Sequence, residues 1–512
     1  MLSFNRLSAL GLKLAIGFAL ASCLALGAKA DDQFEPVRAR IAKALVDHNI
    51  PSISVAVVRE GQIVWEQGFG WADRENRVLA SEHTMYSIAS ISKPITATGL
   101  MVLKQRKLIE LDKPINDYLG EAKLRARVGD AAEATVRRVA NHTSGLPLHY
   151  QFFYADESYR PPVFDETIRR YGNLVTVPGE RFQYSNLGYG VLDDIIARVG
   201  GKKFGDFMRE EVFLPLGMTQ TSIDVGSGLE LHQAIRYTSD GKRIPFYEFD
   251  HPGASAVYAS AHDLARFAMF HMKEHLGDQK AILDDSTIEE MQVPTSGASG
   301  RGGYGIGWGS GEMRGHRMVS HTGGMPGVAT MCGFFPAERV AIVVLTNTSS
   351  PMTQRITEMI SAIVLPEQKE KDNNKDKEPK AATAPSNDSA PSGNFVPSAE
   401  LIGRWNGHVT TPKGDTPLVL VIKDSGDVHV RLENQLETLL NGPSFQGGFL
   451  RGRFISELPT DDTRRQPYQI HLELKLREQI LNGSATAITA PNVRGAFAIT
   501  HWVELKREAD KP

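Results

Sequence analysis

The chain has 512 residues, which is long enough for two or three domains. It is 41% hydrophobic and 23% charged, the balance of an ordinary globular protein. A formal net charge of -3 excludes a strongly basic surface, so we expect no nucleic acid as a partner.

Residues 1–30 have the pattern of an export signal. Arg6 and Lys13 precede an apolar run from Leu14 to Leu26, and Ala28-Lys29-Ala30 follows as an A-x-A cleavage site. The run is short for a membrane span, which needs about 20 apolar residues. We therefore predict a signal peptide over 1–30 and an exported protein, periplasmic or extracellular.

An alternative to cleavage after Ala30 is a lipid anchor. Residues 20–23 read Leu-Ala-Ser-Cys, which resembles a bacterial lipobox. A membrane tether would require lipidation of Cys23. The other cysteine, Cys332, lies in an apolar segment and is predicted to be a buried small hydrophobe, so no intramolecular disulfide is expected after cleavage.

Helix and strand patterns place one domain over residues 31–366. An amphipathic helix is expected at 36–48, followed by a hairpin from Ile53–Val58 and Ile63–Gly68 around Glu60-Gly61. Helical patterns recur at 189–199 and 261–275. Strands are expected at 317–320, 329–335 and 340–346, and a closing helix at 353–363. This order predicts an α+β domain, with one antiparallel sheet built from both ends of the segment and a mainly helical lobe inserted between them.

The remaining chain divides into a linker and a second domain. Residues 367–396 are a run of mixed charge followed by Ala, Pro, Ser and Asn, a composition that predicts a flexible linker. Residues 397–512 show short alternating strands, which predict an all-β barrel or sandwich. Gly403-Arg404-Trp405 resembles the Gly-x-Trp of lipocalin-like barrels, and a core Trp on a first strand is the simpler interpretation.

Ser90-Ile91-Ser92-Lys93 is the first motif with catalytic potential. It lies where a helix is expected to begin, and residues three apart share a helix face. Lys93 could therefore take the proton of Ser90 and activate it as a nucleophile. A lysine in the first turn opposes the helix dipole, which favours a chemical role over a stabilising one.

Two further motifs follow in the chain. Tyr184 and Asn186 are two residues apart, so they project to one side of an extended segment, although Ser185 or Asn186 could simply cap the helix that follows. His321-Thr322-Gly323-Gly324 follows a predicted strand. There the N–H of Gly324, together with that of Ser90, could form an oxyanion hole, and a glycine-rich turn is the structural alternative.

Ser-x-x-Lys, Tyr-x-Asn and His-Thr-Gly in this order resemble the signature of the serine β-lactamase and penicillin-binding protein superfamily. The nearest branch contains class C β-lactamases, D-Ala-D-Ala carboxypeptidases and related esterases. Supporting phrases are NHTSGLP at 141–147, PGE at 178–180, ASAHDLA at 259–265 and YGIGW at 304–308. The resemblance covers about residues 34–365.

The resemblance implies a β-lactamase-like fold and assigns roles to the motif residues. Ser90 would be the acylated nucleophile, with Lys93 and Tyr184 sharing the acid and base work. Asn186 would position the acyl amide, and His321, Thr322, Gly323 and Gly324 would dock the substrate. No metal or organic cofactor is implied, and His142 is expected to be a structural turn residue.

One departure from the family pattern concerns the substrate. Most β-lactamases have Lys at the first position of the third motif, where this chain has His321. A lysine is a fixed cation for a substrate carboxylate, whereas a histidine is only partly charged near neutral pH. Efficient β-lactam hydrolysis is therefore in doubt, while acyl-enzyme formation is not.

Three hypotheses follow from the sequence. The first is an exported serine hydrolase acting through an acyl-enzyme on an amide or ester, such as a D-Ala or peptidoglycan-derived peptide, a small ester or a β-lactam. The alternative is a non-catalytic cell-envelope ligand-binding protein that keeps the penicillin-recognising fold. In a third, residues 397–512 cap the catalytic cleft, and deleting 367–512 leaves a folded, active hydrolase with altered selectivity.

Overall fold

The computed structural model describes residues 32–225, 228–297, 302–366, 395–490 and 493–509. The predicted signal peptide, its Cys23 and nearly all of the predicted linker lie outside these residues. Within the described ranges, no helix combines the length and apolar character needed to cross a membrane.

Nine α-helices occur in the described ranges, all of them before residue 367. They are α1 Glu35–Asp47, α2 Ser92–Gln105, α3 Val136–Ala140, α4 Phe164–Tyr171, α5 Asn186–Gly200, α6 Phe204–Met208, α7 Ala261–His271, α8 Asp285–Gln292 and α9 Met352–Val364. The helix expected at 261–275 ends at His271, because Lys273 and His275 both take a positive φ that a right-handed helix does not allow.

The described strands of the first domain form a nine-stranded sheet, a three-stranded sheet and two short pairs, and one further strand joins the barrel sheet. In chain order they are β1 Ser52–Arg59, β2 Gln62–Asp73, β3 Val78–Leu79, β4 Tyr86–Ser87, β5 Arg125–Ala126, β6 Tyr150–Gln151, β7 Phe153–Tyr154, β8 Asn173–Leu174, β9 Thr221–Ile223, β10 Tyr247–Glu248, β11 Val257–Ala259, β12 Ser296–Gly297, β13 Gly303–Tyr304, β14 Gly309–Met313, β15 His316–Met325, β16 Val328–Phe335 and β17 Val340–Thr346. The main sheet has the order β12-β13-β14-β15-β16-β17-β1-β2-β3.

The main sheet joins the two ends of the domain, as the sequence predicted. β1 pairs with β2 through a two-residue turn in which Glu60 and Gly61 have φ of 53° and 74°, the backbone of a type I′ hairpin. β1 also pairs antiparallel with β17 along its length. The sheet therefore closes around residues that are nearly 300 positions apart in the chain.

Helices cover both faces of this sheet. On one face α1 and α9 pack against β1 and β17, with Val37, Ile41, Ile356 and Ile360 in a shared apolar core. The other face packs against α2, α7 and the inserted lobe, and Cys332 of β16 is buried there. Burial raises the pKa of the Cys332 thiol to about 12, in keeping with the predicted inert hydrophobe.

The second domain is a meander of nine strands. They are β18 Gly403–Thr411, β19 Gly414–Ile422, β20 Val428–Leu432, β21 Thr438–Leu439, β22 Asn441–Gln446, β23 Phe449–Phe454, β24 Tyr468–Arg477, β25 Ile480–Thr489 and β26 Phe497–Arg507. The first strand, β18, pairs with the last, β26, and the two ends of the sheet, β21 and β22, are separated by Leu440 alone. The sheet is thus a nearly closed barrel, and its inward side chains fill it. Trp405 is buried in this core and donates its indole N–H to the carbonyl of Leu401 at 2.9 Å.

The barrel packs directly on the first domain. Strand β6 of the first domain pairs with the start of β26 and so becomes a tenth strand of the barrel sheet. Thr500 donates its hydroxyl to the carbonyl of Leu148 at 2.6 Å. Glu180 accepts from Lys475 and, at 2.9 Å, from Arg477. These contacts fix the barrel to the segments that lead to residue 150 and to residue 184.

Candidate active site

Ser90 lies in a single turn of 3₁₀ helix, Ala89–Ile91, that precedes α2. The α-helix therefore begins after the serine rather than at it. Ala89 has φ of 47°, an unusual backbone conformation for a residue with a side chain. Ser90 itself is half-buried, so its hydroxyl is at the surface of the cleft while the neighbouring Ala89 and Ile91 are buried.

Lys93 is fully buried beneath Ser90. Its Nζ lies 3.2 Å from the Ser90 Oγ, 2.7 Å from the Oδ1 of Asn186 and 3.0 Å from the carbonyl oxygen of Ala254. Burial lowers the pKa of the Lys93 amine well below its ordinary value of 10.5. The amine is thus shifted toward its neutral form, which can accept a proton.

The three contacts of Lys93 also suit a neutral amine. The oxygens of Asn186 and Ala254 can only accept, so each takes one N–H of Lys93. A neutral amine has two hydrogens and one lone pair. With both hydrogens used, the lone pair is left for the third neighbour, the hydroxyl of Ser90. The geometry is that of a base set against its nucleophile.

Tyr184 and Asn186 reach the site from the start of α5. Ser185 caps this helix, since its Oγ accepts the N–H of Gly188 at 3.1 Å, and Asn186 is the first helical residue. Capping and catalytic placement therefore occur together in one tripeptide. The Lys93 Nζ lies 4.8 Å from the centre of the Tyr184 ring, and the Ser90 side chain interacts with the Tyr184 hydroxyl. Burial raises the pKa of Tyr184, so the phenol keeps its proton near neutral pH.

His142 contacts the segment that carries Tyr184. It is buried, has φ of 62°, and its Nδ1 accepts the N–H of Ser185 at 3.1 Å. Its ring lies 4.4 Å from that of Tyr184, centre to centre. Burial, with the neighbouring Lys93 and His321, lowers the pKa of His142 well below 6.5. The residue is a neutral turn residue, as expected, but it also orients the backbone that carries Tyr184.

His321 lies on β15 and faces the same cleft. Its Nδ1 donates to the carbonyl of Thr322 at 2.7 Å, and its Nε2 lies 3.0 Å from the hydroxyl of Tyr304. Burial lowers the pKa of His321 to about 3. His321 is therefore neutral in the working range of pH. The partial charge expected from the sequence is not available to a substrate carboxylate.

The strand β15 places the other third-motif residues on alternating faces. Gly323 faces the Ser90 turn: a Cβ added there would lie 2.1 Å from the Ile88 carbonyl oxygen. Thr322 pairs with Met331, which belongs to the core on the α1 and α9 side, and residues directly opposite share a face. The exposed Thr322 side chain thus points away from Ser90, contrary to the docking role expected for its hydroxyl. Gly324, also exposed, has open space beside it.

The structure therefore brings Ser90, Lys93, Tyr184, Asn186 and His321 to one cleft and leaves the Thr322 side chain outside it. The N–H groups of Ser90 and Gly324 stay the predicted oxyanion donors. Sequence reasoning missed Ala254, which acts through its main chain and carries no side-chain signal. It also left Tyr304 without a role, although the YGIGW phrase contains it.

Comparison with known proteins agrees with the fold and with the family resemblance. The model of the β-lactamase family matches residues 37–362. Unguisins hydrolase ungD' of Aspergillus campestris is 28% identical over 347 residues, which cover 63% of this chain and 64% of that protein. Penicillin-binding protein 4* of Bacillus subtilis is 26% identical over 322 residues, 57% of this chain and 67% of that protein. The matched region thus spans just under two thirds of the length of the Aspergillus relative.

Solved structures show the same architecture. The octameric penicillin-binding protein homologue from Pyrococcus abyssi superimposes with a TM-score of 0.57 at 21% identity, covering 92% of this chain and 99% of that one. A class C β-lactamase gives a TM-score of 0.56 at 21% identity, covering 66% of this chain and 97% of that one. The predicted fold, a β-lactamase-like domain followed by a barrel-shaped sheet, is confirmed.

Proposed function

The chain belongs to the β-lactamase family, a family of serine hydrolases. We propose that it hydrolyses an amide or ester through an acyl-enzyme on Ser90. The observation that carries the proposal is the 3.2 Å contact between the Ser90 Oγ and the buried Lys93 Nζ. A buried lysine with a lowered pKa is a base, and a pure binding protein has no need of one beside its ligand.

The proposed acylation follows from the protonation states. As the Ser90 oxygen attacks the substrate carbonyl, its proton passes to the Lys93 amine, and the carbonyl oxygen becomes an oxyanion held by the N–H groups of Ser90 and Gly324. When the tetrahedral intermediate collapses, the bond to the leaving group breaks. The Tyr184 phenol protonates the leaving group and recovers a proton from Lys93. Water then releases the acyl group by the reverse proton path.

The neutral His321 supports a preference among substrates. With a pKa of about 3, its imidazole offers no fixed cation at the position where most relatives have lysine. We therefore propose that acyl donors without a carboxylate, such as neutral esters and amides, react faster than D-Ala-D-Ala peptides or β-lactams. Replacing His321 by Lys would shift the preference toward carboxylate substrates.

The test is acylation of the purified full-length protein. It is incubated with an activated nitrophenyl ester and with a fluorescent penicillin, and the adduct is located by mass spectrometry. The adduct is expected on Ser90 and lost in Ser90→Ala. Ser92→Ala is the matched control and should keep the adduct on Ser90. The Ser92 hydroxyl donates to the Ala89 carbonyl at 2.7 Å and is not expected to react. An unmodified Ser90 in a folded protein that still binds these ligands would favour the non-catalytic hypothesis.

Export is a separate proposal that rests on residues 1–30 alone. The charged start, apolar run and A-x-A site support cleavage after Ala30, with lipidation of Cys23 as the alternative. The N-terminal residue and mass of the protein secreted by its own host separate the two. Protein retained in the cytoplasm with residues 1–30 intact would contradict both.

A further inference from the structure

A second cluster of ionisable side chains lies outside the active site, on the side of the first domain that meets the barrel. His149, Asp250 and His251 are all buried, and one ligand atom of each lies within 4.8 Å of the others. Asp250 contacts the Nδ1 of His251 with one oxygen and the hydroxyl of Thr167 with the other. The carboxylate thus holds the His251 ring in a fixed orientation.

His149 is the member of the cluster that its protein neighbours do not explain. Its side chain is buried, with the residue only 1% exposed, yet neither Nδ1 nor Nε2 has a hydrogen-bond partner within the described residues. A buried polar group without a hydrogen-bond partner lowers stability by about 1–3 kcal/mol. An imidazole in this state, beside a carboxylate and a second imidazole, therefore points to a ligand. Nearby, the Nε2 of His501 on β26 is also buried and unpartnered among the described residues.

We propose that His149, Asp250 and His251 form a site for a divalent first-row transition-metal ion, represented by Zn²⁺. Two imidazoles and one carboxylate are a ligand set that zinc uses, whereas Mg²⁺ and Ca²⁺ prefer oxygen alone. Asp250 and His251 now contact each other through Oδ1 and Nδ1, and the ion would take these two atoms in place of that contact. The ion lies outside the proposed hydrolytic reaction, for which no metal was expected.

The spacing sets what binding requires. Tetrahedral ligands at about 2.0–2.1 Å from zinc lie about 3.4 Å apart. Here the ligand atoms are up to 4.8 Å apart, so side chains must move by about 1 Å before all three can bind the ion. His251 has little freedom to supply it, because a Cβ at Gly190 of α5 would lie only 2.3 Å from the Cβ of His251. The movement falls to His149, whose ring nitrogens have no hydrogen-bond partner in the part of the chain that the structure describes, and to Asp250, which must give up its contact with His251.

A short segment connects this cluster to the active site. Directly after His251, the 3₁₀ turn Pro252–Ala254 presents the carbonyls of Gly253 to the Thr96 hydroxyl, at 2.7 Å, and of Ala254 to the Lys93 Nζ, at 3.0 Å. An ion bound at His251 would fix one end of the segment that orients Lys93. Metal binding should therefore stabilise the protein and act on catalysis only through position.

The test is the metal content of the full-length protein, purified without a polyhistidine tag. After treatment with a chelator, the protein is titrated with Zn²⁺ against a competing dye, and with Co²⁺ while its absorption spectrum is followed. We expect about one ion per chain, a cobalt spectrum typical of nitrogen and oxygen ligands in a four-coordinate site, and a higher Tm with the metal bound.

His149→Phe and Asp250→Asn should weaken zinc binding by about 100-fold or more, a loss larger than that for an outer-shell partner. His271→Phe is the matched control, because His271 is equally buried and has an unpartnered Nδ1 but belongs to no such cluster in the described residues. Folding of each variant is checked by circular dichroism. A wild-type protein that takes up no Zn²⁺ or Co²⁺ overturns the proposal, as does unchanged binding in a folded His149→Phe variant; an ordered water would then be the partner of His149.

Discussion

Gly323→Ala should damage the active site through a steric clash. The added Cβ would lie 2.1 Å from the Ile88 carbonyl oxygen and 2.3 Å from the Thr330 Oγ1. Contacts of a Cβ below 3.0 Å are essentially never seen, so β15 and the turn that carries Ser90 must separate by about 1 Å. The Ile88 carbonyl is main chain and cannot move without moving the residues after it.

The expected loss follows from that displacement. A misplacement of about 1 Å costs about 100-fold in rate, which is about 2.7 kcal/mol of transition-state stabilisation. Overpacking should also lower the free energy of unfolding by about 1–3 kcal/mol. Acylation of Ser90 by a nitrophenyl ester, followed in a stopped-flow instrument, measures the first effect, and urea unfolding measures the second.

Gly311→Ala is the control on the neighbouring strand β14, where an added Cβ meets nothing within 4 Å. Its acylation rate should stay within about threefold of wild type, because nothing near Ser90 has to move. A Gly323→Ala variant that acylates at the wild-type rate would refute the reasoning, since the strand and the serine turn would then not be in the contact described.

Three further predictions concern charge and protonation. In a plot of acylation rate against pH, the rate should rise with a midpoint below 10.5, the ordinary pKa of lysine, because the neutral Lys93 amine is the base. Lys93→Met should abolish acylation, whereas Lys104→Met on the same helix should not. Glu473→Gln should lower kcat by about tenfold and the Tm by several degrees, because it removes the barrel carboxylate that pairs with Arg181, three residues before Tyr184. Glu437→Gln on the exposed edge of the barrel is its control, and equal kcat values would contradict the coupling. Finally, the pKa of His271 is 6.5 in the unfolded chain and about 3 in the folded chain, so the free energy of unfolding should fall as the pH falls between these values. In His271→Phe, the free energy of unfolding from urea titrations should depend less on pH than in wild type, by an amount that corresponds to at most one proton.

Local patterns in the sequence identified the elements and most of the site. The β1–β2 hairpin was predictable because strand alternation and the Glu60-Gly61 turn are encoded within a few residues. The positions of Ser90 and Lys93 were predictable for the same reason, since three residues of helical backbone bring them together. Tyr184 and Asn186 required the family resemblance, because nothing in their own neighbourhood says which lysine they will meet.

What could not be predicted depends on long-range packing. The Ala254 carbonyl binds Lys93 through the main chain, so the identity of residue 254 carries no information about it. The low pKa of His321 comes from burial, which a sequence does not state. The docking role of Thr322 came from the family resemblance, which does not say where the strand ends. β15 continues to Met325, and strand alternation turns the Thr322 side chain to the other face.

The barrel contacts the first domain more closely than the sequence suggested. The predicted flexible linker led to the hypothesis that the barrel is a removable cap and that deletion of 367–512 leaves an active hydrolase. The structure adds β6 to the barrel sheet and binds Glu180, four residues before Tyr184, to Lys475 and Arg477. A truncated protein would expose the edge of β6 and leave Glu180 unpaired, so we expect it to be less stable and slower than the full chain.

The position of Cys332 makes the protein convenient for distance measurements by fluorescence. It is the only cysteine after the predicted signal peptide, and as a buried thiol of β16 it should not react with maleimide dyes. Cysteines introduced at Leu231, which is 91% exposed on the first domain, and at Leu436, which is 88% exposed on the barrel, would then carry all the dye. Energy transfer between them would report whether the two domains keep a fixed separation while substrate is turned over.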